Sequence, residues 1–318
     1  MTKGPRPVIA LVALMAVLTA CTGSGGDLHA SGSPVTVSSG PAPPASGSSS
    51  AQSSSAQSSS AEHSSAEPSI AERSGTPADL RAILGPDVTQ RKDGAFGSDR
   101  WTLVDNGAPV AGGTALRVHY PRGSASPEAS RSYGSPGGGM QIFLPATGKS
   151  LDDAYLRYWV RFPTDFEFVR GGKLPGLYGG TEVSGGEQPN GTNGFSTRLM
   201  WRSLGAGEVY LYAPHESGTS LGRGSWTWPR GAWTCVEQHV TLNRPGSNDG
   251  SVTVWLNGTQ VLSRQGILYR TVDSLKIDGI FFSTFYGGAD PGWAPSRDEH
   301  VDFAGFALSP QRVGCSRG

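Results

Sequence analysis

Four polar side chains recur at every second position in two nearby segments, and their chemical types suit work on a charged sugar. They are Ser196, Arg198, Tyr210 and Tyr212. Because successive side chains of a β-strand point to opposite faces, the pair in the segment 195–202 shares one face, and so does the pair in the segment 208–212. The short connection 203–207 indicates that the two strands are neighbours. The four side chains are therefore expected to line one concave surface.

A glycine-rich segment, residues 171–177, precedes these strands and is predicted to be a loop whose only charge is Lys173. Arg and Lys neutralise carboxylates, Tyr stacks on a pyranose or moves a proton, and Ser hydrogen-bonds hydroxyls. The combination predicts a surface for an anionic sugar. The alternative interpretation is that the arginines and tyrosines only cover a solvated sheet face, and the spacing alone does not distinguish the two.

The segments around this surface alternate in polarity with the period of two that is typical of strands with one buried face. In residues 156–162 every second side chain is apolar, and the Asn-Gly pair at 257–258 separates two further runs, which is a strong hairpin signal. Further predicted elements are strands at 280–285 and 301–306 and a short helix at 78–84. With 46 Gly and 23 Pro among 318 residues, the pattern predicts an all-β fold, an antiparallel β-sandwich of jelly-roll type.

The charge balance excludes one broad class of function. The chain has 26 Lys+Arg against 26 Asp+Glu, whereas a dedicated nucleic-acid binder normally shows a basic field. We therefore expect no nucleic-acid partner. We also expect a monomeric domain in which a local cluster of cations holds any acidic substrate.

The first 76 residues are predicted to export and tether the chain rather than to fold. Residues 1–21 have basic side chains before a short apolar run and end in Leu-Thr-Ala-Cys, which resembles the lipobox of bacterial lipoproteins. Cys21 is then the acylated residue that anchors the protein to the extracytoplasmic face of the membrane; an ordinary cleaved signal peptide is the alternative. Residues 22–76 are almost wholly Ser, Ala, Gly and Pro, which predicts a disordered linker before a folded domain at 77–318.

The other two cysteines, Cys235 and Cys315, are expected to form a disulfide because export places them in an oxidising compartment. His239 lies four residues after Cys235, so a catalytic thiol paired with histidine is the alternative. No His or Cys spacing resembles a zinc motif, and we expect neither a metal nor a cofactor. The acids that would serve a calcium site, the alternative to ordinary surface acids, are Asp290, Asp298 and Glu299.

Three motifs occur in order along the chain. They are Gly-Gly-Lys-Leu-Pro-Gly-Leu-Tyr-Gly-Gly at 171–180, Gly-Phe-Ser-Thr-Arg-Leu-Met-Trp-Arg at 194–202 and Val-Tyr-Leu-Tyr at 209–212. Together they resemble the pattern of polysaccharide lyase family 14, over most of residues 95–310. The resemblance implies a β-jelly-roll fold and an alginate or glucuronan lyase. The catalytic set that it implies is Lys173, Ser196, Arg198, Tyr210 and Tyr212. Substrate contacts are expected from Tyr178, Trp201 and Arg202.

A lyase of this family removes the proton at C5 of a uronate and expels the oxygen at C4, which leaves an unsaturated sugar. Arg198 is expected to bind the carboxylate and to stabilise the charge that develops there. Repulsion between cations is expected to favour neutral Lys173, and Arg198 to favour an ionised Tyr210 or Tyr212. We therefore expect a tyrosine as base or acid, Lys173 as carboxylate binder or proton carrier, and Ser196 as an orienting group.

Two other functions stay open on the sequence alone. One is a non-catalytic carbohydrate-binding jelly-roll module. The other is a glycoside hydrolase, which needs two carboxylates that flank the scissile bond. Its candidates, none in a paired strand spacing, are Glu182, Glu187, Glu208 and Glu216. Products discriminate the three classes: a lyase leaves unsaturated ends that absorb ultraviolet light, a hydrolase leaves reducing ends without that absorbance, and a binding module leaves neither.

Overall fold

The computed structural model describes residues 70–148, 150–181 and 183–316. The predicted leader with Cys21 and residues 22–69 of the predicted linker lie outside the described residues, so these predictions stay untested. Within the described ranges the chain forms sixteen β-strands and two α-helices. None of the helices in this part of the chain has the length and apolarity needed to cross a membrane.

The elements follow one another with short connections. In the first half of the domain they are β1 (Glu72–Arg73), α1 (Pro77–Leu84), β2 (Arg91–Phe96), β3 (Trp101–Asp105), β4 (Thr114–Tyr120), α2 (Pro127–Tyr133), β5 (Met140–Pro145), β6 (Asp153–Arg161), β7 (Gly171–Leu174) and β8 (Gly176–Gly180). The later strands are β9 (Gly194–Arg202), β10 (Gly207–Ala213), β11 (Glu216–Leu221), β12 (Thr234–Thr241), β13 (Gly250–Leu256), β14 (Thr259–Ile267), β15 (Gly279–Tyr286) and β16 (Glu299–Ser309). Two short 3₁₀ turns are Ser203–Gly205 and Pro291–Trp293.

The strands form two antiparallel sheets of eight strands each. The first sheet has the order β1-β3-β4-β16-β6-β12-β13-β14. The second has the order β11-β10-β9-β7-β15-β5-β2, and β8 follows β7 between β9 and β15. This architecture confirms the all-β sandwich of jelly-roll type that the sequence predicts.

The core lies between the sheets and is filled by alternate residues of their strands. In β6 the side chains of Leu156, Tyr158 and Val160 are buried, as the period of two predicts. On the second sheet, Trp201 packs edge to face against Phe162, with ring centroids 5.7 Å apart. Each such aromatic pair stabilises the core by about 0.5–1.5 kcal/mol beyond its buried area.

Trp201 is predicted from the sequence to contact substrate, and this prediction is wrong. It shares the core face of β9 with Leu199, and both side chains are fully buried. The Trp201 Nε1 donates a hydrogen bond to the carbonyl oxygen of Phe168 at 3.2 Å. Because strand side chains alternate, Trp201 points away from the face that carries Arg198 and Arg202.

Residues 171–177 are not the predicted loop; they form β7 and the start of β8 in the middle of the second sheet. Lys173 pairs with Met200 of β9 on one side and with Phe285 of β15 on the other. The glycine at 172 is needed for close packing, because a Cβ there would lie 2.0 Å from the Trp201 ring. Pairing on both sides thus overrides the low strand preference of glycine.

The folded part begins before residue 77. Glu72 lies in β1, which pairs with β3, and its carboxylate is 2.9 Å from the guanidinium of Arg117. Thr76 and Asp79 form a capping box at the start of α1. The predicted disordered linker is therefore wrong for residues 70–76, since this segment has a paired strand, an ion pair and a helix cap.

Two local predictions are confirmed. The helix predicted at 78–84 is α1. The predicted hairpin joins β13 and β14, and its turn residues Asn257 and Gly258 have φ values of 49° and 84°. Both values lie in the left-handed region that an Asn-Gly turn requires.

The C-terminal segment is tied to the outer side of the first sheet. Cys235 of β12 is bonded to Cys315, with Cα atoms 5.8 Å apart, as the sequence predicts. The buried carboxylate of Glu237 accepts hydrogen bonds from the backbone of Val313 at 2.8 Å and of Gly314 at 2.9 Å. A covalent bond and a buried hydrogen-bonded carboxylate therefore hold this segment together.

Replacing Cys235 and Cys315 by alanine is expected to lower the free energy of unfolding by about 4 kcal/mol in the chain-entropy description. The reason is that the disulfide closes a loop between residues 80 positions apart in the unfolded chain. Urea unfolding followed by tryptophan fluorescence measures the loss. A reductant should shift the midpoint of the unmodified protein and leave the variant unchanged; equal midpoints for all samples would contradict a stabilising role.

Candidate active site

The Ser-x-Arg and Tyr-x-Tyr pairs lie together on the outer face of the second sheet, the face turned away from the core. Tyr210 of β10 is directly opposite Arg198 of β9, and Tyr212 is opposite Ser196. Directly opposite residues of antiparallel strands point to the same face, with Cβ atoms about 5 Å apart. The structure therefore places the four side chains on one surface, which we call the site face.

Lys173 joins the site face from β7, and its ammonium group lies in an apolar setting. The residue is 8% exposed, and its Nζ donates to Met200 Sδ at 3.0 Å and lies 3.4 Å from the centre of the Tyr210 ring. Burial lowers the pKa of Lys173 well below its ordinary value, and the charges of Arg198 and Arg202 lower it further. The structure therefore favours the neutral amine that the sequence predicts.

Arg198 is the most deeply buried cation of the site face. It is 3% exposed, its Nη1 donates to Ser283 Oγ at 3.2 Å, and its guanidinium lies 4.5 Å from the centre of the Phe281 ring. Its Nε is buried with no hydrogen-bond partner among the described residues. Burial lowers the pKa of Arg198 to about 10. A buried guanidinium with an unused N–H is suited to bind a carboxylate.

Two residues that hold Arg198 were missed by the sequence reasoning. Ser283 accepts the Arg198 hydrogen bond and donates in turn to Gln141 Oε1 at 3.0 Å. They lie opposite each other on β15 and β5. The signal that was available is the polar Ser283 between Phe281 and Phe285, which share its face of the predicted strand 280–285.

The two tyrosines pack edge to face, with ring centroids 5.5 Å apart. Their hydroxyl groups converge above Gly218 of β11, where a Cβ would lie 2.4 Å from the Tyr210 hydroxyl and 3.1 Å from that of Tyr212. Burial raises the pKa of Tyr210 to about 12, and the neighbouring Tyr212 contributes to the rise; Arg202 and Arg198 oppose it. The expectation of an ionised tyrosine is therefore wrong for Tyr210, because burial outweighs the attraction of the two arginines.

A glycine-containing segment, residues 183–187, covers one end of the site face. The Ser196 Oγ donates to the carbonyl of Val183 at 2.8 Å, and the backbone N–H of Gly186 donates to the Tyr212 hydroxyl at 3.1 Å. These contacts leave Ser196 and Tyr212 buried. A polymer that reaches these two hydroxyls has to replace the contacts with the segment.

Arg202 lies on the site face, as predicted, but its charge is already paired. Its Nη2 is 2.6 Å from a carboxylate oxygen of Glu208, which is fully buried opposite Met200. The guanidinium lies 5.6 Å from the Tyr210 ring and 5.9 Å from the Trp293 ring. Arg202 therefore forms an edge of the site, with Glu208 holding it in place.

One protein family and several solved structures are similar to this chain. The family model described as Polysaccharide lyase 14 matches residues 108–306, which is more than half of the chain. The chain belongs to the polysaccharide lyase 14 family. The protein is therefore a polysaccharide lyase, and this sets aside the alternatives of a binding module and a glycoside hydrolase.

Three solved lyase structures resemble the fold of this lyase. The alginate lyase of family 14 from Aplysia kurodai has 28% sequence identity and a TM-score of 0.62, and the match covers 75% of this chain and 97% of that one. Alginate lyase Aly36B has 22% identity, a TM-score of 0.59 and coverage of 77% and 93%. The alginate lyase vAL-1 from a Chlorella virus has 21% identity, a TM-score of 0.53 and coverage of 66% and 93%. The last two show a shared fold alone, and no protein among the curated sequences matches significantly.

Tyr178 of the lyase does not present the substrate contact that the sequence predicts. It lies on the site face opposite Ser196, but it is 1% exposed. Its ring packs edge to face against Phe143 and Phe281, with centroids 5.2 and 6.3 Å away. The ring is thus part of the floor beneath the site and has no open face on which a sugar could stack.

The acids considered for a calcium site make hydrogen bonds or ion pairs with other residues of the lyase. An Asp290 oxygen accepts a hydrogen bond from the N–H of Gly292 at 2.8 Å, and an Asp298 oxygen accepts one from the N–H of Arg122 at 2.7 Å. Glu299 is buried and ion-paired with a neighbouring arginine. Within the described ranges, no group of three or more His, Cys, Asp or Glu residues is arranged to hold a metal ion.

Lys173→Met is expected to raise the free energy of unfolding by about 1–3 kcal/mol while it abolishes activity, because it keeps the volume and removes an amine whose protonation is disfavoured by burial and by two arginines. Urea unfolding measures the gain. Lys276→Met is the matched control, since Lys276 is paired with Asp152 at 2.8 Å and its loss should not stabilise the lyase. A lower midpoint for Lys173→Met would contradict the prediction.

The size of this gain should depend on pH. Because the pKa of Lys173 is lower in the folded lyase than in the unfolded chain, the unfolded chain binds more protons between the two values. The unfavourable contribution of Lys173 to stability therefore diminishes as the pH rises from its folded pKa toward the ordinary lysine value of 10.5. The advantage of Lys173→Met should be full below the folded pKa and should shrink as the pH rises.

Proposed function

We propose that this lyase cleaves an acidic polysaccharide of the alginate type by β-elimination at a uronate residue. The observation that carries the proposal is the buried Arg198, with an unused N–H, on the same face as Lys173 and Tyr210. The family 14 alginate lyase from Aplysia kurodai supports alginate as the substrate, because the match covers 97% of that chain at 28% identity. Glucuronan, another polymer of uronates, is the second substrate to test.

Arg198 would stabilise the negative charge that develops during proton removal. The hydrogen at C5 is a weak acid while the adjacent carboxylate keeps its charge. A carboxylate bound to Arg198 can accept the electrons left behind, and each well-placed donor contributes about 3 kcal/mol to such a transition state. The carboxylate would also supply the acceptor that the Arg198 Nε lacks among the described residues.

Lys173 and Tyr210 would divide the two proton transfers. Lys173, whose lowered pKa increases its neutral fraction, takes the proton from C5. The electrons of the C5–H bond form the C4–C5 double bond, and the bond from C4 to the leaving oxygen breaks. Tyr210, with a pKa of about 12, keeps its proton in the free lyase and donates it to that oxygen. Solvent then reprotonates Tyr210 and removes the proton from Lys173.

Tyr210→Phe is expected to lower kcat on alginate by roughly a hundredfold or more with little change in KM, because only the proton donor is lost. The ultraviolet absorbance of the new C4–C5 double bond measures turnover, with glucuronan tested in parallel. Tyr155→Phe, on β6 of the other sheet, is the matched control and should stay active.

Three results would contradict this assignment in different ways. Full activity of Tyr210→Phe would remove Tyr210 as the acid. Reducing ends without ultraviolet absorbance would indicate hydrolysis. Binding of both polymers without any product from the unmodified protein would refute cleavage of these substrates.

We also propose that the lyase is exported and anchored to the extracytoplasmic face of the membrane through acylated Cys21. The basic start, the short apolar run and the Leu-Thr-Ala-Cys ending support this location. The Cys235–Cys315 disulfide adds support, because such bonds persist in oxidising compartments. A polymer outside the cell would then be within reach of the site.

Cys21→Ala is expected to release the lyase from the membrane fraction or to leave its leader uncleaved, because the acylated residue is gone. Immunoblotting of membrane and soluble fractions measures the distribution, and mass spectrometry of the N-terminus detects the lipid. Thr22→Ala is the control and should stay in the membrane. Unchanged membrane association of Cys21→Ala would exclude this anchor.

A further inference from the structure

A pocket of about 340 Å³ lies beside helix α2 and is separate from the catalytic residues. We call it the α2 pocket and define it by Phe96, Arg100, Ser130, Arg131 and Gly137. Its volume is within the range of sites that hold small ligands. The lining combines an aromatic ring, a hydroxyl and two guanidinium groups, a set of groups suited to an anionic sugar.

The α2 pocket is continuous with the site face. Phe96, at the end of β2, contacts Phe285 with ring centroids 5.7 Å apart, and Phe285 is directly opposite Lys173. Phe96 is also opposite Gln141, which accepts the hydrogen bond of Ser283 in the chain that holds Arg198. Three strand spacings separate β2 from β7, so the pocket lies roughly 14 Å from Lys173. One extended polymer chain can therefore occupy both places.

The two arginines of the pocket are held in different ways. The Arg100 Nε is 3.9 Å from the exposed carboxylate of Asp99, a distance at which an ion pair is weak. The Arg100 guanidinium lies against the backbone of Gly137, where a Cβ would be 2.4 Å from Nη2. Arg131 is mostly exposed and pairs with Glu128 at 2.8 Å on the surface. Arg100 is thus fixed in place with its charge little compensated.

Helix α2 is attached to the rim of the active site. The Oγ of its N-cap, Ser126, donates to the carbonyl of Gly288 at 2.6 Å. Gly288 lies under the ring of Trp293, which is 5.9 Å from Arg202. The Oγ of Ser130 has no hydrogen-bond partner within the described residues. The pocket therefore has a fixed wall and an unused hydroxyl beside its two cations.

We propose that the α2 pocket is a distal subsite for a further uronate residue of the same polymer, with the carboxylate bound by Arg100 and Arg131 and the sugar against Phe96. The inference rests on the proposed function, since the ligand is another residue of the chain that is cleaved near Lys173. Occupation of both places requires a chain of several residues. The lyase is therefore expected to prefer long oligosaccharides to short ones.

The test compares an alginate hexasaccharide with an alginate trisaccharide as substrates of the full-length lyase. The measured quantity is the ratio of kcat/KM for the hexasaccharide to kcat/KM for the trisaccharide. We expect the double variant Arg100→Ala and Arg131→Ala to lower this ratio about tenfold, through the loss of two charged contacts. Arg131→Glu, a change at an exposed position that leaves the packing on Gly137 intact, should lower it as well. Arg264→Ala, exposed on β14 of the other sheet, is the control and should keep the ratio.

The possible outcomes separate the subsite from the reaction. An unchanged ratio would overturn the subsite, because a distal site acts on the longer chain alone. This includes the case in which kcat/KM falls by the same factor with both oligosaccharides. Failure of the proposed function looks different, since the unmodified lyase would then form no unsaturated product from either substrate. In that case calorimetric binding of the hexasaccharide decides: weaker binding by the double variant supports the subsite, and equal binding overturns it.

Discussion

Burial of basic side chains on one face of a sheet is the constraint on which this structure depends. Lys173 and Arg198 are almost completely withdrawn from water, and Arg202 lies beside them. Desolvation and mutual repulsion disfavour such a cluster. Nearby groups offset part of this destabilisation: Glu208 pairs with Arg202, and aromatic ring faces lie against Lys173 and Arg198. An acidic polymer can meet the remaining demand for negative charge, so the cations that destabilise the fold are the groups that serve the proposed function.

The other parts of the molecule hold that cluster in place. The core aromatic residues pack against the back of β9, so the strand cannot shift without disrupting the sandwich. Glycines allow β7 and β8 to pack closely against it: a Cβ at residue 176 would lie 2.3 Å from the carbonyl oxygen of Thr197. The disulfide and the C-terminal segment reinforce the first sheet instead. The stabilising contacts thus lie in the core and on the first sheet, whereas the destabilising buried cations lie on the site face of the second sheet.

The same arrangement determines the protonation of the two groups that we propose for proton transfer. Lys173 and Tyr210 are in direct contact, and burial moves both toward their neutral forms. A neutral amine beside a protonated phenol is a base beside an acid, which is the pair that β-elimination requires. Arg198 stays the permanent cation because a guanidinium with a pKa of about 10 remains charged at neutral pH. The protonation states of these three groups therefore depend on their burial as well as on their residue type.

The sequence by itself determined the sandwich class, because alternation along strands such as 156–162 needs only the local geometry of an extended chain. It also determined which residues share a face within a strand, so that Ser196 with Arg198 and Tyr210 with Tyr212 were assigned correctly. Only the tertiary structure decided that 171–177 forms β7 and the start of β8 in the middle of a sheet, because that depends on pairing with β9 and β15, which are distant in the sequence. The accessibility of the site residues and their protonation states were also decided by the tertiary structure. The closed packing around Tyr178, the role of Ser283 and the raised pKa of Tyr210 all arise from neighbours on other strands, and local spacing carries no information about them.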